Sequence, residues 1–117
     1  MKRAISDQFP FVEIVWEVRG QISQTTAFVD TGFDGHLMLP TEWIYQFGTP
    51  DALDWWQLAD GSIVVTPAYE GFISIKGLDE RLPIKVILAG DEPIIGLKLL
   101  RRYLVILERG QRVIMEP

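Results

Sequence analysis

The chain has 117 residues, 48% of them hydrophobic and 23% charged, with mean hydropathy +0.15, which sets it apart from disordered tails and linkers. This length predicts a single domain over residues 1–117 with one core. A net charge of −5 and a pI near 4.7 exclude nucleic acid as the main partner. In chain order, Phe11 to Val18 alternates, with Val12, Ile14, Trp16 and Val18 on one face and Glu13 and Glu17 on the other. Arg19-Gly20 is a turn and Ile22 to Val29 a return strand, so residues 11–29 read as a hairpin. That strand runs into the loop Asp30-Thr31-Gly32-Phe33-Asp34-Gly35. Leu37-Met38-Leu39 is a short apolar strand, and Pro40-Thr41-Glu42 opens a short helix that Gly48 stops. Residues 49–54 read as a loop. Trp55 to Leu58 and Ile63 to Thr66 flank Asp60-Gly61, a strong hairpin signal. Tyr69 to Ile75 and Leu82 to Leu88 are strands around a turn at residues 76–79. Ile94-Ile95-Gly96 precedes a short helix over residues 97–103, and Leu104 to Leu107 and Arg112 to Met115 are strands around Arg109-Gly110.

Dominant period-two patterning predicts an all-β domain. The chain also has a coarse two-part rhythm with no residue-level repeat. Each half holds a hairpin, a glycine-bearing loop and a short helix: 11–29, Asp30-Thr31-Gly32 and 41–47, then 69–88, Ile94-Ile95-Gly96 and 97–103. No apolar run approaches the roughly 18 residues of a membrane span, and Ser6, Asp7 and Gln8 interrupt any leader after the basic start. A cytoplasmic location with no membrane partner is expected.

The absence of cysteine excludes disulfides, thiolate metal sites and thiol catalysis. The single histidine, His36, excludes a multi-histidine metal site within one chain. No metal and no cofactor is expected, so chemistry must come from carboxylates, hydroxyls or backbone. His36 lacks a partner and reads as structural or solvent-facing. Trp55-Trp56 reads as core or ribbon-base packing rather than a ligand platform. Asp51 and Asp54 read as turn and cap residues.

The sequence Ala27-Phe28-Val29-Asp30-Thr31-Gly32 puts a carboxylate at the end of an apolar strand. Thr31 adds a hydroxyl, and Gly32 lets the backbone bend and a ligand approach closely. By itself the tripeptide is weak evidence and reads first as a polar turn after a strand.

Residues 27–35 and 94–100 together resemble the retropepsin-like aspartic proteases, with Asp30-Thr31-Gly32, the Asp60-Gly61 hairpin, Ile94-Ile95-Gly96 and Leu99-Leu100 in family order. Phe33-Asp34-Gly35 and the Leu37-Met38-Leu39-Pro40 segment are similar to the small prokaryotic branch. The resemblance spans residues 11–115. It implies a closed β-barrel with one or two short helices, one lobe per chain. It also implies an aspartic endopeptidase in which two carboxylates share one proton across a water (the handling of paired aspartates known for this enzyme class). The chain has a single Asp-Thr-Gly, so the second carboxylate would come from Asp30 of another copy, in a two-fold homodimer acting on a peptide or protein substrate. The alternative is a catalytically silent module of the same fold that binds a peptide or protein partner.

The resemblance further implies Asp30 as catalytic, Thr31 and Gly32 as its support, and Asp34 against substrate backbone, where an Asx-type loop stabiliser is the competing reading. Asp60, Gly61 and Ser62 would form a flap tip, against an ordinary surface hairpin. Ile95 and Gly96 would shape the floor beneath the dyad, against a simple buried strand end. The terminal strands, near Ile5 and Val113-Ile114-Met115, would be candidates for an intersubunit sheet. Three features depart from the family: Phe33 stands where Ala or Ser is usual, Leu97-Lys98 replaces an Arg-led pair, and the flap has a single glycine.

Overall fold

A computed structural model describes residues 2–117. It contains β1 (Ala4–Ser6), β2 (Phe11–Val18), β3 (Gln21–Val29), β4 (Leu37–Leu39), β5 (Ala52–Gln57), β6 (Ile63–Ile75), β7 (Leu82–Leu88), β8 (Ile94–Ile95), β9 (Leu104–Glu108) and β10 (Arg112–Glu116). A 3₁₀ turn over Thr41–Trp43 runs into α1 (Ile44–Phe47), and α2 spans Leu97–Leu100. The all-β expectation holds, as do both short helices.

Local chemistry fixes the hairpins. Arg19 and Gly20 both take positive φ, 53° and 79°, as a tight two-residue turn between right-twisted strands requires. Arg109 and Gly110 also take positive φ, 51° and 68°, in a three-residue connection that places Gln111 before Arg112↔Glu108. Along β2 the alternation is realised: Val12, Ile14, Trp16 and Val18 are buried, while the residues between them are half-exposed.

The strands β2-β3-β8-β4-β7-β6 are neighbours in that order, and β6 pairs back onto β2 from Ile14↔Ile75 to Val18↔Gly71. The sheet is therefore a closed barrel, which removes its free edges. The pairing scheme is unchanged when β2 is exchanged with β6, β3 with β7 and β4 with β8: β3 runs parallel to β8, β7 parallel to β4, and β4 antiparallel to β8. The two-part rhythm of the sequence is thus an approximate two-fold of the topology. Each half lends its short strand to the other half's hairpin.

The core fills the barrel, and aromatic rings close one end. Trp16 meets Trp43 and Phe47 edge-on at 5.0 and 5.6 Å, and Phe47 meets Tyr69 at 5.2 Å. The Tyr69 hydroxyl donates to the Gly48 carbonyl, so its polar end is satisfied. No helix among the described residues is long and apolar enough to cross a membrane.

Two expectations change. Ala52 to Asp54, read as loop, belong to β5. Ile63–Thr66 and Tyr69–Ile75, read as two strands, form one 13-residue strand through Pro67. Its first half pairs with β5 and its second half with β7 and β2, so the proline sits on the ribbon side of the strand. The terminal strands, candidates for an intersubunit sheet, form a three-stranded sheet within the chain, with Ile5↔Ile114 between β1 and β10 and Val113↔Leu107 between β10 and β9. The turn at Arg109-Gly110 returns β10 onto β9, and β1 takes its remaining edge, leaving the outer edges of β1 and β9 unpaired in this sheet.

The barrel seam sets a test. A Cβ at Gly71 would lie 2.6 Å from the Glu17 carbonyl oxygen and 3.0 Å from Val18 Cγ2. Gly71→Ala is expected to destabilise the fold by about 1–3 kcal/mol, seen as a lower urea midpoint at unchanged m-value. An unchanged midpoint would mean that the seam is not closely packed.

Candidate active site

The site is built where two loops cross. β3 ends at Val29, and the Asp30 N–H continues the ladder by donating to the Ile95 carbonyl at 3.0 Å. The following loop then lays three carbonyls against the start of α2. Gly96 N–H donates to His36 (3.1 Å), Leu97 N–H to Phe33 (2.7 Å) and Lys98 N–H to Gly35 (3.1 Å). First-turn helix amides have no partner within the helix, and here the Asp30 loop supplies partners. The crossing is close: a Cβ on Gly96 would lie 2.5 Å from the Phe33 oxygen and 2.6 Å from the Gly35 oxygen. Only glycine fits there.

Within this frame Asp30 is half-buried. Its Oδ1 accepts the Gly32 N–H at 2.8 Å, the only hydrogen bond of the side chain among the described residues. A Cβ at Gly32 would stand 3.1 Å from that same oxygen, so glycine lets the amide reach the carboxylate. Thr31 and Asp34 lie on the surface. Asp34 makes no hydrogen bond or ion pair among the described residues, so the loop-stabiliser reading has no bond to rest on. Ile95 is fully buried and meets Asp30 through its backbone.

The approximate two-fold also locates the counterpart of Asp30. At the end of β7 the Ala89 N–H donates to the Leu39 carbonyl at 3.0 Å, the same bond that Asp30 makes to Ile95. The equivalent position therefore carries a methyl group, and one chain supplies one carboxylate.

Asp60, Gly61 and Ser62 lie at the tip of the β5–β6 ribbon, exposed. Asp60 Oδ1 accepts the Ser62 hydroxyl at 2.6 Å and the Ser62 N–H at 2.9 Å. These bonds, the hydroxyl's first, hold the Asp60 carboxyl below its ordinary range. Gly61 takes φ 87°, which completes the turn. The two tryptophans diverge because successive strand residues face opposite ways. Trp55 is 73% exposed, whereas the Trp56 ring lies 5.4 Å from that of Phe33 and its Nε1–H donates to Thr66 Oγ1 at 3.0 Å. Phe33, only 8% exposed, thus fills the space between the Asp30 loop and the ribbon base, in a small cluster with Ala68 and Ile87. The sequence reading did not find this packing. Its signal was a bulky ring between two glycines, Gly32 and Gly35, that make room for it.

His36 is half-buried and accepts the Lys85 N–H on Nδ1 at 3.3 Å. Burial first, then the nearby charges of Lys98, Lys85 and Arg102, push its pKa below the ordinary value. The neutral ring is a structural acceptor. Asp54 bridges to Lys85 at 3.0 Å. Asp51 accepts the Glu70 N–H and the Arg19 guanidinium, which hold its carboxyl low. Among the described residues no three His, Asp or Glu side chains gather as a metal ion would need.

The fold has known counterparts. The chain is similar to a retropepsin-like aspartic protease from Rickettsia conorii at TM-score 0.64 and 16% identity, covering 97% of this chain and 89% of that one. It is also similar to the Simian Foamy Virus (mac) protease, at TM-score 0.51 and 13% identity, over 76% of this chain and 91% of that one. No protein-family model and no curated protein sequence matches the chain. The fold is therefore retropepsin-like, as the sequence motifs implied.

The histidine sets a pH test. Because the folded-state pKa lies below the unfolded value, protonation favours the unfolded chain, so stability is lost as pH falls below 6.5. His36→Gln removes this component. Its urea midpoint is expected to vary less than wild type between pH 7 and 5.5, above the range where the carboxyls titrate. Parallel profiles would show that His36 is not held neutral.

Proposed function

We propose that the chain is one half of an aspartic endopeptidase, and that a second copy completes the site. The observation that carries this reading is the Asp30-Thr31-Gly32 loop. It sets a carboxylate, oriented by the Gly32 amide, at the end of β3 in a retropepsin-like barrel whose own two-fold counterpart position holds Ala89. Exposure of Thr31 fits a surface that a partner covers.

In the homodimer two Asp30 carboxyls face each other across the axis. Two negative charges at about 3 Å strongly disfavour each other, so the pair holds one proton between them and titrates as a unit. The ionised carboxylate takes a proton from a water held between them, and the oxygen attacks the peptide carbonyl carbon. The protonated carboxyl donates its hydrogen bond to the carbonyl oxygen as negative charge develops there. Collapse of the resulting tetrahedral diol, with a proton passed to the amide nitrogen, breaks the C–N bond. Asp34, with no hydrogen bond or ion pair among the described residues, is available to substrate backbone N–H groups. The Asp60–Ser62 turn stiffens the tip of the ribbon that closes over the peptide.

Peptide-library cleavage by wild type and Asp30→Asn across pH ~3–7 tests this, together with sedimentation equilibrium. Wild type is expected to cut as a dimer, and Asp30→Asn to lose at least about 10²-fold in kcat. Excess Asp30→Asn added to wild type is expected to suppress cleavage further than dilution does, because mixed dimers hold a single competent carboxylate. Equal cleavage by both proteins would end the reading. Tight peptide binding with no cleavage by either would favour the silent binding module.

A further inference from the structure

The ribbon and the Asp30 loop belong to separate parts of the chain, yet one aromatic contact joins them. Phe33 follows Asp30-Thr31-Gly32 directly, and its backbone is held on both sides: its N–H donates to the Asp30 carbonyl at 3.3 Å and its carbonyl accepts from Leu97 at 2.7 Å. Its ring cannot shift without moving the catalytic loop, because Gly35 and Gly96 both lie directly against it. On the other side Trp56 presses on this ring at 5.4 Å, with planes tilted by 46°, while its indole N–H is tied to Thr66 across the ribbon. Thr66 is itself buried, so that bond is shielded from water. Past this point the ribbon has no comparable anchor: Gln57 through Val65 are all exposed.

We infer that Phe33 is a positioning residue, whose ring, seated between the Asp30 loop and Trp56, sets the angle of the β5–β6 ribbon relative to that loop. Its catalytic consequence rests on the peptidase reading, but the mechanical coupling does not. A ribbon that loses this seat swings more widely, so Phe33 acts on substrate closure through Trp56 and touches no reacting atom. This accounts for a large ring at a position where a small residue would leave the ribbon base unsupported.

The test is NMR on Phe33→Leu and Phe33→Ala, with Trp56 intact as the reporter. Exchange of the Trp56 indole proton is expected to quicken about tenfold on loss of the aromatic contact. The ¹⁵N heteronuclear NOE of residues 57–63 is expected to fall, while amides of the β2–β3 hairpin keep theirs. Thr66→Val, which removes the acceptor and keeps the shape, should loosen the same segment without touching the Asp30 loop. If Phe33→Ala does not fold, Phe33→Leu decides. Unchanged ribbon dynamics, or acceleration spread evenly over the barrel, would overturn the proposal. With a cleavable peptide, Phe33→Leu is expected to raise KM several-fold more than it lowers kcat. Absence of cleavage by wild type counts against the peptidase reading alone, since the ribbon measurements stand without it.

Discussion

The crossing of the Asp30 loop over the start of α2 is the constraint on which the site depends. Three amides of the short helix, from Gly96, Leu97 and Lys98, have no partner within it and find one on His36, Phe33 and Gly35. The loop's carbonyls are satisfied by the same bonds. Neither segment is regular enough to hold its shape alone, since α2 is a single turn. Together they close a hydrogen-bonded knot in which the backbone at Asp30 has little freedom. The absence of a side chain at Gly96 is what lets the two backbones come this close.

This arrangement follows from the topology. Each half of the barrel donates its short strand to the other, so the loop after β3 and the loop before α2 are brought together by β3–β8 pairing rather than by proximity in sequence. The halves are alike in hydrogen bonding but not in chemistry, because Asp30 sits where the other half has Ala89. A buried pair of carboxylates within one chain would have cost stability through mutual repulsion. A single half-exposed carboxylate at the end of β3 avoids that.

Much of this was legible in the sequence. Alternation along β2, paired positive-φ turns at Arg19-Gly20 and Arg109-Gly110, and the Asp60-Gly61 tip are local signals, and local physics delivers them. The motif order around Asp30 and Ile94-Ile95-Gly96 carried the fold. What escaped was non-local. Pro67 suggested a break, yet β6 passes through it because the ribbon and the barrel draw on different halves of one strand. The pairing of β1 with β10 joins the two ends of the chain. Phe33 looked like an intrusion at the site, and only its contact with Trp56 gives the ring a place.

The amino-acid order alone determined the all-β class, the turns, the single carboxylate in its Asp-Thr-Gly setting and the absence of thiol chemistry, because each is a property of neighbouring residues or of composition. Only the tertiary structure decided which backbone groups hold Asp30, that Ala89 is its counterpart, and that a ring beside the motif supports a distant ribbon. These depend on strand pairings between residues dozens of positions apart, and a pairing is chosen by the burial and hydrogen-bond satisfaction of the whole barrel, which no local window of sequence contains.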